Sequence, residues 1–140
     1  MLVRPYVDSD FEQLMTLYDQ SELYGGQRDE NRDSRSKLQN RIASDPDAII
    51  VAEDDGEIVG TVSLIEDGRV AWLFRFAVQK MQNEKEILKE LYDYAAKALK
   101  SKGHNQVLVY SPAGNANLDQ RYKNLDFQRG GDFTCYWKNI

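Results

Sequence analysis

Arg75 is the residue whose type fits its surroundings in the sequence least well. It interrupts residues 70–78, a run that is otherwise nearly all apolar or aromatic. A charged side chain inside such a strand needs a partner, because a buried unpaired charge is costly. Two interpretations follow: Arg75 forms a structural ion pair, or it binds an acidic group of a substrate. The second makes Arg75 a candidate substrate-binding residue.

Asn83 and Glu86 mark a second place where chemistry is possible. They have the spacing of a capping box at the start of a long helical pattern, residues 83–102. Free amides at a helix N-terminus also attract anions. The same residues are therefore either an internally satisfied cap or part of an anion site. The spacing favours the cap, and the carboxylates of Glu84 and Glu86 would repel an anion there.

The chain offers few residues for metal or nucleophilic chemistry. Cys135 is the only cysteine and His104 the only histidine. An intrachain disulfide, a cysteine zinc site and a two-histidine metal site are excluded, and we expect no metal. Glu22, Glu66 and Asp67 are candidate general bases, although a single acidic residue near a turn is usually only solvated.

Composition restricts the class of protein. The chain has 140 residues, of which 41% are hydrophobic, and this predicts one globular domain, residues 1–140. Its net charge of −5 disfavours nucleic-acid partners. The first residues include several charges, and no apolar run is long enough for a signal peptide or a membrane span. These features predict a cytoplasmic protein without membrane contact.

The periodicity of apolar residues predicts the order β-α-α-β-β-β-α-β-α-β-β. A capping box of Ser9 and Glu12 is expected to open the first helix, and Asp54-Asp55-Gly56 to form a tight turn. Strands are expected at residues 2–5, 48–53, 57–65, 70–78, 106–110 and 127–140, the last as one or two strands. Because a strand, a long helix and a strand normally form a right-handed crossover, residues 73–78 and 107–110 should run parallel.

This order, with the residues that punctuate it, resembles the GNAT superfamily of acetyl-CoA-dependent N-acyltransferases. The resemblance implies a GNAT-like α/β (α+β) fold, in which helices flank a mixed, mostly antiparallel sheet with one central parallel strand pair. The segments that carry it are Val3-Arg4-Pro5 with Asp10 and Leu14; Ile50-Val51-Ala52-Glu53 through Gly56-Glu57-Ile58-Val59-Gly60; residues 73–78; and Asn115 with Tyr122, Leu125 and Phe127.

The resemblance implies a function and a set of site residues. It implies acetyl-CoA as cosubstrate and a small-molecule amine as acceptor. The backbone around Phe76, Ala77 and Val78 would bind the pantetheine arm, Asn115 would lie on the cofactor side, and Tyr122 would protonate the departing thiolate. From the residues alone, Asn115 fits a helix cap as well, and Tyr122 fits the apolar face of a short helix.

The expected pyrophosphate loop departs from the family pattern Arg/Gln-x-x-Gly-x-Gly/Ala. Asn83 and Glu84 stand at its Arg and first Gly positions, and Glu86 and Leu88 at the other two glycine positions. Asn83 remains the candidate cofactor residue of this loop. The substitutions predict weak binding of acetyl-CoA, in the high micromolar range or worse. They leave two alternatives open: a non-catalytic binding or dimerisation module, which makes a homodimer possible, and a small-molecule sensor.

The acceptor side is the least defined part of the sequence. By resemblance, residues 21–44 form a wall of the acceptor cleft, and here they are highly charged and poor in apolar anchors. We expect this segment to be mobile without ligand and residues 25–34 to become ordered on binding. With Arg75 beneath it, the expected acceptor is small and polar and has at least one acidic group.

Overall fold

The computed structural model describes residues 1–21 and 28–140. These residues form two compact units, Met1–Tyr110 and Ser111–Ile140, which are treated separately below. That the whole chain acts as one domain stays a prediction. The first unit contains four strands, four helices and one short 3-10 turn among its described residues. They are β1 (Leu2–Pro5), the turn (Asp8–Asp10), α1 (Phe11–Gln20), α2 (Glu30–Asp33), α3 (Arg35–Ser44), β2 (Ile49–Asp54), β3 (Glu57–Glu66), β4 (Ala71–Val78) and α4 (Glu84–Ser101).

The four strands form one sheet in the order β1-β2-β3-β4, with every neighbouring pair antiparallel. The mixed α/β architecture with a largely antiparallel sheet is thus as expected. The predicted hairpin turn between β2 and β3 is confirmed. Asp55 and Gly56 form a two-residue turn with φ of 49° and 81°, the left-handed conformation that the twist of a tight hairpin requires.

Helices cover both faces of the sheet. Partner residues on adjacent strands share a face, so Val51, Thr61 and Ala77 lie on one side, and Gly60 and Val78 lie on the other. The first side packs against α1 and α3 in a buried cluster, whose members include Tyr6, Leu14, Leu17, Tyr18, Leu38, Ile49, Val51 and Ala77. The second side packs against α4, which contributes Ile87 and Leu91.

Gly60 is the point of closest approach between β3 and α4. A Cβ atom added there would lie 2.9 Å from both Ile87 Cγ2 and Leu91 Cδ1. We expect Gly60→Ala to lower the free energy of unfolding by about 1–3 kcal/mol, because the helix must shift to admit a methyl group. Urea denaturation measures this. Gly130→Ala, where an added Cβ meets nothing within 4 Å, is the control, and equal stability of the two variants would contradict the contact.

The start of α1 differs from the prediction. The expected Ser9–Glu12 capping box is wrong, because α1 begins at Phe11 after the short 3-10 turn. The turn is held by Asp10, whose carboxylate accepts from Val7 N–H at 3.0 Å and from two nitrogens of Arg4 at 2.7 and 2.9 Å. A charged acceptor with these three donors takes the place of a serine cap.

The Arg4–Asp10 pair makes stability depend on pH. Burial acts to raise the pKa of the Asp10 carboxyl, but hydrogen bonds from Arg4 and from Val7 N–H outweigh it, and the pKa lies below its usual value. The pair's contribution to stability is therefore complete above the unfolded pKa of about 3.9 and is lost as pH falls through the lower folded pKa. We expect Asp10→Asn to reduce stability at pH 7 and to flatten its decline in acid, as followed by urea denaturation. A decline as steep as in the unmodified protein would assign it to other carboxyls.

The fifth strand, predicted at residues 106–110, is wrong in extent. Trp72 and Leu108 form a single parallel bridge, in which Leu73 N–H donates to Leu108 O and Leu108 N–H to Ala71 O, both at 2.9 Å. The direction is the expected one, but no parallel ladder forms in the described chain. The physical reason is a bend in β4 that begins directly after Phe74 and ends the alignment of the two backbones.

The second unit, Ser111–Ile140, contains one helix, α5 (Ala116–Asn124), as expected from its apolar spacing. Asp126 follows it with φ of 62°, a left-handed conformation that aspartate tolerates better than most residues. The strand or strands predicted at residues 127–140 are wrong, because none of these described residues forms ladder hydrogen bonds. Phe133, Tyr136 and Trp137 are at least 80% exposed, so the segment buries little apolar surface.

Candidate active site

A β-bulge in β4 is the main feature of the candidate site. Val62 of β3 lies opposite both Arg75 and Phe76, because the register slips by one residue between Phe74 and Ala77. Arg75 has φ of +51°, a left-handed conformation that is uncommon and costly for any residue other than glycine. Such bulges commonly lie beside functional sites, where they redirect a side chain.

The bulge redirects Arg75. In an uninterrupted strand Phe74 and Arg75 would face opposite sides of the sheet. Here both side chains lie on the side covered by α1: the Arg75 guanidinium carbon is 4.8 Å from the centre of the Phe74 ring and 5.9 Å from that of Tyr18. The extra residue therefore turns a cation toward the helices that precede β2.

Asp33, the last residue of α2, meets this cation in a two-point ion pair. Arg75 Nε donates to Asp33 Oδ1 at 3.1 Å and Nη2 donates to Oδ2 at 2.8 Å, with side-chain exposures of 1% and 3%. Asp33 Oδ2 also accepts from Asp29 N–H at 2.9 Å. The ion-pair interpretation of Arg75 is thus what the structure contains, and direct binding of an acceptor by Arg75 stays a prediction.

The same bulge determines where the amides of β4 point. Gln79 N–H donates to Val59 O at 2.9 Å, and hydrogen-bonding residues alternate along an antiparallel ladder. The alternation directs the N–H of Ala77 toward β3 and that of Val78 toward the opposite edge, while Phe76 lies in the bulge itself. At this same edge, Leu108 forms hydrogen bonds with Ala71 and Leu73, which lie nearer the start of β4. Outward amides just beyond a bend suit an extended ligand backbone.

The start of α4 is not capped as expected. Asn83 has φ of −99° and ψ of 22°, and its side chain makes no cap hydrogen bond, so the predicted capping box with Glu86 is wrong. A capping side chain reaches the first amides from extended backbone, and Asn83 lies in the bridge region instead. Glu84 N–H donates to Met81 O at 3.2 Å in a tight turn.

The acidic residues remain where an anion would approach α4. Glu84 is half-buried and Glu86 is exposed, both in the first helical turn, where negative charge complements the helix dipole. Leu88, at the last expected glycine position, is 5% exposed and belongs to the core. The helix start therefore lacks the glycine backbone that the family pattern provides for a diphosphate.

Tyr122 and Asn115 lie in the second unit. The Tyr122 ring packs edge to face on Phe127 at 5.6 Å between centroids. Burial raises the pKa of its phenol, against an opposing effect of Arg121, so the hydroxyl keeps its proton at neutral pH. Asn115 caps α5, accepting from Leu118 N–H at 3.1 Å, which is the structural alternative for this residue. A cofactor contact by Asn115 stays a prediction.

None of the three candidate general bases gains support from the structure. Glu22 lies outside the described residues. A hydrogen bond with His104 holds the pKa of Glu66 below its usual value, and one with Arg69 lowers the pKa of Asp67 to about 2. Carboxylates with such pKa values accept a proton poorly at neutral pH. Their hydrogen-bond partners, His104 after α4 and Arg69 in the β3–β4 turn, account for both residues.

Metal-binding groups and membrane-spanning helices are absent from residues 1–21 and 28–140. These residues contain no group of three or more His, Cys, Asp or Glu side chains that could hold a metal ion. In the same ranges, no helix is long and apolar enough to cross a membrane. The expected mobility of residues 21–44 falls partly outside the described chain. The part that is described includes α2 and α3, and it is anchored by Asp33 and Leu38.

Sequence reasoning missed Asp33. The signal was the arginine in an apolar strand, which requires a partner but does not identify it. Asp33 lies 42 residues away among interleaved acidic and basic residues, so only the fold selects it.

The model of the acetyltransferase (GNAT) family matches residues 11–127 of the chain. An acetyltransferase of Sodalis glossinidius is 26% identical over 128 residues, which cover 91% of this chain and 87% of that protein. One of Photorhabdus laumondii is 27% identical over the same length, with the same coverage.

Solved structures show the same architecture. The PaiA N-acetyltransferase of Thermoplasma acidophilum, in complex with coenzyme A, has a TM-score of 0.72 at 26% identity, covering 88% of this chain and 87% of that one. An aminoglycoside 6′-N-acetyltransferase of Acinetobacter haemolyticus has a TM-score of 0.73 at 14% identity over 100% and 99% of the two chains, and it supports the fold alone. With the family model spanning most of its length, this chain belongs to the GNAT acetyltransferase family.

Proposed function

We propose that this protein transfers the acetyl group of acetyl-CoA to the amine of a small-molecule acceptor. The observation that carries the proposal is the bulge in β4, which directs the amide of Val78 toward the edge of the strand that faces away from β3. Because the chain belongs to the GNAT family, we interpret this edge as the binding site of the pantetheine arm. The similar enzyme of Thermoplasma acidophilum, solved in complex with coenzyme A, supports the choice of cosubstrate.

The backbone of β4 is the proposed binding site for the pantetheine arm of acetyl-CoA. When bound, acetyl-CoA supplies an activated thioester. The N–H groups of Phe76 and Val78 would donate to the pantetheine arm and polarise the thioester carbonyl, with Ala77 spacing them. Asn83, whose side chain is not used to cap α4, would contact the diphosphate end. Asn115 is proposed as a further cofactor contact.

Tyr122 is the proposed proton donor. Its pKa, raised by burial, keeps the phenol protonated near neutral pH, and a thiolate leaving group needs a proton. The acceptor would attack as a neutral amine. Since Glu66 and Asp67 have lowered pKa values, neither is proposed as the base.

A second function is favoured by one observation. The first turn of α4 contains Glu84 and Glu86 where the family pattern has glycine, which opposes binding of a diphosphate. The alternative is a GNAT-fold module that no longer binds coenzyme A and acts in binding or dimerisation. The two proposals differ in whether acetyl-CoA binds at all.

An acetylation assay tests the catalytic proposal. The protein is incubated with acetyl-CoA and a panel of small polar amines, with and without acidic groups, and release of the free coenzyme A thiol is followed. Amine-dependent thiol release at a rate proportional to protein concentration is expected. Release that is the same with and without every amine, from protein that binds acetyl-CoA, would contradict transfer to a small amine.

A further inference from the structure

We propose that Asp33 and Arg75 are positioning residues for the proposed acetyl-CoA site on β4. Their buried ion pair holds the bulge that determines the direction of the β4 amides. The inference rests on the proposed function. It gives the charged segment before β2 a defined task, and it assigns Arg75 a role through Asp33 in place of direct contact with substrate.

The backbone conformation of Arg75 requires support from its surroundings. Its φ of +51° is one that a side chain with a Cβ rarely adopts, so the surrounding contacts must hold it there. These contacts include the two hydrogen bonds to Asp33 and the rings of Phe74 and Tyr18 near the guanidinium. A planar guanidinium bonded at two points fixes both the position and the orientation of its side chain.

The carboxylate of Asp33 is held in place by hydrogen bonds within its own segment. Asp33 ends α2, and its carboxylate also accepts from Asp29 N–H, at the start of the same turn of helix. The side chain of Asp29 in turn accepts from Asn31 N–H at 2.7 Å. The carboxylate is therefore fixed to the backbone of α2 before it reaches Arg75, and the ion pair connects α2 to β4.

The bulge determines the direction of the amides that follow it in β4. One extra residue at Arg75 is what directs the N–H of Val78 outward, since the ladder on either side of the bulge is regular. If the bulge relaxes, the register or the direction of the following amides must change. A shift of about 1 Å in groups that bind a reacting ligand is enough to lower affinity or rate strongly.

The test uses a double variant, Asp33→Leu/Arg75→Met. Replacing a buried ion pair by apolar residues of similar volume leaves no unpaired charge and is often neutral for stability. Affinity is measured by calorimetry for two probes: acetyl-CoA, and adenosine 3′,5′-bisphosphate, which lacks the pantetheine arm. Amide chemical shifts of Phe76 and Val78 are recorded by NMR without ligand.

We expect the double variant to bind acetyl-CoA about tenfold or more weakly, to bind the bisphosphate unchanged, and to shift the amides of Phe76 and Val78. Arg75→Lys keeps the charge but loses the two-point contact, so its affinity for acetyl-CoA should lie between those of the unmodified protein and the double variant. Should the double variant not fold, Arg75→Lys decides with the same measurements. Asp67→Asn, which breaks an exposed aspartate–arginine pair with Arg69, should change neither affinity.

Unchanged acetyl-CoA affinity, or an equal loss for both probes, would overturn the proposal, because the pair would then be irrelevant or merely structural. If the unmodified protein binds neither probe, the proposed function fails. The NMR measurement still decides whether the pair holds the bulge, and unshifted amides would show that it does not.

Discussion

Tyr122→Phe is expected to lower turnover by a factor on the order of 10² while changing the free energy of unfolding by no more than about 1 kcal/mol. The substitution keeps the ring that packs on Phe127 and removes only the hydroxyl. The loss in rate is expected because this hydroxyl is the proposed proton donor to the departing thiolate. Steady-state kinetics with saturating acetyl-CoA, together with urea denaturation, measure both effects.

Tyr136→Phe is the matched control for that experiment. Tyr136 lies in the same unit and is 90% exposed, so removing its hydroxyl should alter neither turnover nor stability. Unchanged turnover in Tyr122→Phe would assign Tyr122 to packing alone. A large loss of stability with a matching loss of activity would show instead that its hydroxyl makes a structural hydrogen bond.

Replacing both acidic residues of the first turn of α4 is expected to strengthen binding of acetyl-CoA. Glu84→Gln/Glu86→Gln removes two negative charges from the place where a diphosphate would meet the helix. One charge pair at about 4 Å is worth about 1 kcal/mol in water and more at lower dielectric. We therefore expect affinity to rise by about ten- to a hundredfold at low ionic strength, as measured by calorimetric titration.

Salt and position provide the controls for this charge effect. The gain should shrink as ionic strength rises, because exposed charges are screened over about 10 Å at 0.1 M. Glu90→Gln, which removes an exposed carboxylate further along α4, should give a smaller gain. An unchanged affinity in the double variant would show that the phosphates are held elsewhere.

Much of the fold could be predicted because it follows from local periodicity. The hairpin between β2 and β3 has turn residues suited to left-handed backbone, and α4 has an apolar stripe that continues for 18 residues. The departures at the helix starts arise where a charged partner or the backbone conformation opposes the expected cap. Asp10 has Arg4 as its partner, so the expected serine cap is not used, and the backbone of Asn83, which is not extended, prevents its own cap.

The candidate site was predictable in its chemistry but not in its geometry. The sequence shows that Arg75 needs a partner or a ligand, yet a bulge has no local signal here, since the residue in the left-handed conformation is an arginine and not a glycine. Asp33 is selected by the fold alone. The same bend that places the amides of β4 also limits the parallel pairing to one bridge at Leu108, and periodicity could not indicate this.

Calorimetric titration of the unmodified protein with acetyl-CoA tests the central claim most directly, namely that this GNAT domain still binds its cosubstrate. The proposed function predicts saturable binding at one site per chain. The acidic start of α4 predicts that the dissociation constant lies in the high micromolar range, on the order of 10⁻⁴ M or weaker. The proposed role of the Asp33–Arg75 pair predicts that this constant rises in Asp33→Leu/Arg75→Met. No saturable heat at millimolar acetyl-CoA, from protein shown to be folded, would contradict the claim and leave the non-catalytic module.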